Sequence, residues 1–161
     1  MTAFRLPILA FVLLAAGSPA FAAEQPVDPY VVSDANAGTT PIQGDAVYKA
    51  FHGREGVARI VSDLVDRNVD DPRISDIFKA ADLERLKRTL TEQFCYILGG
   101  PVSYTGRDMT AAHKDQGLQT SDFNFLVENL QWAMDKEGVP FRDQNRLLAK
   151  LAPMKRTMVE R

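Results

Sequence analysis

The chain of 161 residues is 45% apolar, 25% charged and 9% aromatic, which suits one globular domain and excludes both wholesale disorder and two sizeable domains. Lys and Arg number 19 against 21 Asp and Glu, so the net charge is -2 and the basic surplus that nucleic-acid phosphates demand is missing. A lone cysteine, Cys95, forms no internal disulfide or multi-thiolate metal site, and His52 and His113 are too few for a centre built on several imidazoles.

Residues 1–22 have the three parts of a secretory leader: Arg5, an apolar run from Leu6 to Ala16, and the small-x-small site Ala20-Phe21-Ala22. The apolar run is short of the ~20 residues that span a bilayer. The expectation is cleavage before Ala23, export to a bacterial periplasm, and no stable membrane association afterwards. Residues 23–44 mix Pro, Asp, Asn, Gly and Thr without an apolar period, which reads as a flexible linker or extended arm. Tyr30, Val31 and Val32 offer it a means of covering a groove on the domain that occupies residues 45–161.

The domain reads as helical throughout. Val57, Ile60, Val61, Leu64 and Asn68 share one face of a first long helix, with Val65 beside it, and Asp70-Asp71-Pro72 ends it. Leu83, Leu86, Leu90, Phe94 and Ile97 form the stripe of a second, stopped by Gly99-Gly100-Pro101. A third begins at the cap-type residues Thr120-Ser121-Asp122 and runs to Gly138; a fourth spans Phe141 to Val159 with Pro153 as a kink. No segment alternates as a half-buried strand does, so the fold class is all-α. The passage from Gly100 to Thr120 is broken by Gly106, Arg107, Asp108 and Gly117 yet carries Tyr104, Met109, His113 and Leu118. A loop-rich passage with one short helical turn between two strong helices is where function is sought. A neutral imidazole at His113 suits either a satisfied core position or the proximal side of a haem iron.

The series Leu98-Gly99-Gly100-Pro101, Tyr104-Thr105-Gly106, Met109, His113, Gly117-Leu118 and Phe123 resembles the truncated haemoglobins of group 1. Phe51 to Val57 resembles that family's Gly-containing corner, Phe78 stands where the family keeps a phenylalanine against the haem, and Leu86-Lys87 falls on its distal helix. The resemblance covers about Tyr48 to Pro153. It implies a two-over-two helical sandwich, one b-type haem per chain, and His113 as proximal ligand. No C-x-x-C-H occurs, so the haem is expected to be non-covalent. The implied pocket takes Phe78, Phe94, Met109, Leu118, Phe123 and Trp132 as walls, and Arg85, Thr89, Arg107 and Thr110 as candidates for the propionates.

The distal side departs from the family. Where many members carry a tyrosine and a glutamine that donate to bound oxygen, ungapped alignment places Val65 and Leu90, with Leu86 at the gate. A hydrogen bond in a dry pocket contributes about 1–3 kcal/mol. Its loss implies oxygen release faster than in members with the tyrosine, and easy autoxidation, with carbon monoxide less affected. Thr91 and Gln93 are phased away from the Leu90 face. His52 is expected at a surface corner and Cys95 in the core. The implied function is reversible binding of oxygen, carbon monoxide or nitric oxide. The alternatives are a gas sensor or haem-dependent interaction module, and conversion of nitric oxide to nitrate with a reductase as partner, which an apolar pocket serves less well.

Overall fold

A computed structural model describes residues 23–159; residues 1–22, the expected leader, lie outside the described residues. Among them the regular elements are all helical. They are a 3-10 turn at Asp34–Ala37, then α1 (Ala46–Ala50), α2 (Gly53–Asp70), α3 (Ser75–Phe78), α4 (Leu83–Ile97), α5 (Met109–His113), α6 (Thr120–Glu137) and α7 (Phe141–Leu151). A second 3-10 turn, Ala152–Met154, leads into α8 (Lys155–Met158).

α2 is the centre of the molecule and packs against both α4 and α6. Its inward residues explain why: Val57, Ile60, Val61, Leu64 and Val65 are all buried to 1% exposure or less. Leu130, Ala133 and Met134 of α6, Leu147 of α7 and Ile97 of α4 complete the core. A band this wide on one helix has apolar surface for two neighbours, which is what a two-over-two sandwich requires.

The helix ends follow local chemistry. Asp82 caps α4 by accepting from the Arg85 amide at 3.1 Å. Gly99 then takes φ +84°, and a Cβ there would lie 2.3 Å from the Gly44 carbonyl oxygen, so a glycine lets the chain before α1 cross over the end of α4. α6 begins at Thr120 as expected, but its cap is the residue before: Gln119, whose amide donates to the Asp122 carboxylate at 2.8 Å. The expected fourth helix is interrupted, not merely kinked. Pro153 has no amide proton to continue the ladder, and the chain tightens into a 3-10 turn before α8.

Residues 23–44 are seated on the domain. Ala37 is fully buried, and the Ile42 amide donates to the Ile97 carbonyl at 2.8 Å. Tyr30 does reach the domain, donating from its hydroxyl to the Thr105 carbonyl at 2.9 Å, whereas Val31 is 83% exposed. The segment is an arm held by carbonyls and small residues, which carry no apolar period.

Candidate functional site

A cleft opens between α2, α3 and α4 on one side and α5, α6 and the C-terminal turn on the other, with about 1350 Å³ of empty space including its mouth. Phe78, Leu86, Leu90 and Phe94 line one wall, and Met109, Leu118 and Phe123 the other. Among the described residues no three His, Cys, Asp or Glu side chains converge as a metal site.

His113 stands in the second wall at the end of α5. That helix is short and needs its cap: Asp108 accepts from the Ala111 amide at 3.0 Å. The His113 Nδ1–H donates to the Met109 carbonyl at 2.8 Å. A carbonyl only accepts, so the proton is on Nδ1 and Nε2 keeps its lone pair. Burial pushes the imidazole pKa below its usual value, against a smaller upward pull from the Met109 carbonyl, so the ring is neutral at neutral pH. A neutral imidazole oriented by a carbonyl, at the wall of an apolar slot, fits single axial ligation of a planar iron porphyrin.

The loop that carries α5 is fastened from two directions. Tyr104 is buried, its amide donates to the Asp34 carboxylate at 2.8 Å, and its hydroxyl donates to the Arg107 carbonyl at 3.0 Å. Its ring lies over Gly106, where a Cβ would come within 2.1 Å of the hydroxyl oxygen. Asn36 of the arm donates to the Gly106 carbonyl at 3.2 Å.

Several expected site residues stand elsewhere. Val65 is fully buried but outside the cleft lining; Leu64 takes the position facing it, about 100° round the helix. Arg85 and Arg107 also lie outside the lining. Arg85 pairs with Glu24 at 3.3 Å, and Arg107 donates to the Asp28 carbonyl at 3.2 Å with its guanidinium 5.3 Å from the Tyr30 ring. Both arginines are engaged with the arm. Trp132 is 40% exposed, with the Arg67 guanidinium 4.5 Å from its ring, so it is no cleft wall. Thr89 lines the cleft but donates its hydroxyl to the Arg85 carbonyl at 2.9 Å, and Thr110 is exposed.

Gln93 departs from its expected phase and does line the cleft. Its amide nitrogen donates to the Ala37 carbonyl at 3.0 Å and lies 3.2 Å from the Met109 sulfur, so it ties the arm to the second wall. Asn68 lines the cleft too. Its signal in the sequence is a carboxamide one helical turn beyond Leu64 on an otherwise apolar stripe. His52 is at the surface corner as expected, with Nδ1 2.9 Å from Glu137 Oε1. Cys95 is buried, and desolvation raises its thiol to about 11.

Residues 46–160 match the bacterial-like globin family. The chain is a bacterial-like globin. Its relatives narrow the family to the group 1 truncated haemoglobins. GlbN of Mycolicibacterium paratuberculosis, one of that group, is 29% identical over 109 residues, covering 68% of this chain and 80% of GlbN. A group 1 truncated haemoglobin of Tetrahymena pyriformis is 30% identical over 93 residues, covering 58% of this chain and 77% of its own length. The crystal structure of the Tetrahymena pyriformis truncated haemoglobin in the Fe(III) form superposes with a TM-score of 0.68 at 26% identity, over 71% of this chain and 98% of that one. The two-over-two fold expected from the sequence is therefore the fold of this globin, and binding of haem and of diatomic gases is the general chemistry of its family.

Proposed function

We propose that this truncated globin holds one non-covalent b-type haem per chain through His113 and reversibly binds oxygen or another diatomic gas on the Leu86 and Leu90 side of the cleft. The observation that carries the reading is the His113 imidazole, neutral, oriented by the Met109 carbonyl and facing an apolar slot. When held by His113, the haem would supply an iron able to take up a small gas reversibly.

The chain's own residues set how that position behaves. Phe78, Phe94, Met109 and Phe123 would surround the group with apolar surface and exclude water. The Met109 carbonyl fixes the ring tautomer and keeps Nε2 available. Leu86 and Leu90 donate no hydrogen bond to a ligand in the cleft. Each donor so withheld forgoes about 1–3 kcal/mol of retention, roughly a tenfold to hundredfold faster escape of oxygen. Carbon monoxide, less charged when bound, is held with less dependence on such donors. The leader-like residues 1–22 support an exported protein.

The test is the visible spectrum of the full chain titrated with hemin, in ferric, ferrous and gas-bound forms. Uptake at one equivalent with a strong band near the blue edge, lost in His113→Ala, is the expected result. A chain that stays colourless overturns the reading.

A further inference from the structure

Asn68 is 1% exposed, at the α2 face of the cleft, and its amide can be oriented without ambiguity. Asn129 of α6 accepts from Arg67 Nε at 2.8 Å, which assigns its oxygen. Its Nδ2 therefore donates, to Asn68 Oδ1 at 2.8 Å and to Asp71 Oδ2 at 3.2 Å. Asp71 is anchored as an acceptor: Arg73 beside it holds its carboxyl well below the usual range. Asn68 thus presents its oxygen to α6, and its Nδ2 has no protein acceptor among the described residues. Every fully enclosed side-chain nitrogen or oxygen among them has a partner. Nδ2 is therefore not enclosed, and the opening that Asn68 borders is the cleft. A donor left free on a nearly buried side chain marks a place where a ligand or water completes the hydrogen bond.

We propose that the Asn68 carboxamide is the hydrogen-bond donor of the α2 wall, directed at a small ligand that accepts hydrogen bonds: a diatomic with partial negative charge, or a small anion such as fluoride. The donor comes one turn beyond Leu64, from a helix face where Val65 supplies none. The inference rests on the haem reading of the cleft, which provides the ligand's other attachment. Asn68 acts on the ligand directly, and the Arg67–Asn129–Asp71 network positions it.

The experiment compares the hemin-loaded full chain with Asn68→Leu and Asn68→Asp, reading fluoride affinity of the ferric form and the carbon monoxide stretching frequency of the ferrous form. Asn68→Leu is expected to weaken fluoride about tenfold and to raise the stretching frequency, because a polarising donor is removed. Asn68→Asp keeps an acceptor for Asn129, so it preserves the network even if the Leu variant folds poorly. It replaces the donor with a carboxylate oxygen, and is expected to weaken fluoride further. Equal fluoride affinities and stretching frequencies in the wild type and Asn68→Asp overturn the role of Asn68 and leave the haem reading standing. A chain that takes up no hemin overturns both.

Discussion

His113 and His52 each hold Nδ1 close to an oxygen, 2.8 Å from the Met109 carbonyl and 2.9 Å from the Glu137 carboxylate respectively. The surroundings then diverge. His113 stands in the wall of a greasy cleft, where desolvation keeps it neutral, and its partner is an uncharged carbonyl. His52 is half exposed in a left-handed conformation at the start of α2, beside a carboxylate that also binds Arg59 at 2.6 Å. One region keeps a neutral ring with its Nε2 lone pair free; the other builds an ionic clasp between α2 and the end of α6. The imidazole is the same group in both, so the partner of Nδ1 and the access to water decide its chemistry.

The largest effect that separates the regions is on cofactor retention. His113→Ala is expected to lower hemin affinity by more than about 100-fold, since loss of an outer-shell partner alone costs 10–100-fold at metal sites. His52→Ala is expected to leave hemin affinity and the visible spectrum unchanged. Hemin titration of both variants makes the comparison, and a spectrum altered by His52→Ala breaks it.

The cleft region also depends on the arm in a way the corner does not. Asp34 accepts the amide of Tyr104 at 2.8 Å, and Tyr104 is buried. Asp34→Ala leaves that amide without its acceptor at a cost of about 1–3 kcal/mol, read as a lower urea midpoint. Because the same loop carries α5, hemin dissociation is expected to quicken in parallel. Loss of stability without faster dissociation would detach the arm from the site.

The long helices were legible because apolar spacing and end signals agreed, as at Leu83 to Ile97 between Asp82 and Gly99. The motif, and not the spacing, singles out His113 as a candidate ligand; by spacing alone it reads as a core histidine. Helix phase was ambiguous by one residue at Leu64 and Val65, since both are apolar and both are buried, and only packing decides which borders the cleft. The partners of Arg85 and Arg107 were not legible, because long side chains reach whichever acceptor is near, and the arm brings Glu24 and the Asp28 carbonyl to them. The arm itself is bound through backbone carbonyls, the polar groups of Glu24, Tyr30, Asp34 and Asn36, and a small residue, Ala37, which together make no apolar period.

At the corner, Arg59 chiefly and His52 second hold the Glu137 carboxyl down to about 2, from a usual 4.5. A carboxyl with a depressed folded pKa stabilises the fold fully above its unfolded pKa, and that contribution is lost as pH falls towards the folded one. Glu137→Gln is expected to cost about 1 kcal/mol at neutral pH. The difference from wild type should vanish between pH 4.5 and 2, followed by urea melts across that range. The hemin spectrum should not change.

The smallest effect is expected at Glu24, where the arm meets α4. Its carboxylate pairs with Arg85 and Arg88, and Arg88 above all draws its pKa below the usual value. These groups are partly exposed, so water and salt weaken the attraction. Arg88 also keeps Glu92 at 3.0 Å and the Thr105 hydroxyl at 2.7 Å when Glu24 is gone. Glu24→Gln is therefore expected to cost less than about 0.5 kcal/mol, and less again at high salt. If melting at low and high salt instead shows a loss rivalling that of Asp34→Ala, the arm is held by its charges. The buried Ala37 and the bonds to Tyr104, Thr105 and Gly106 would then be its consequence, and the cleft region would become sensitive to ionic strength.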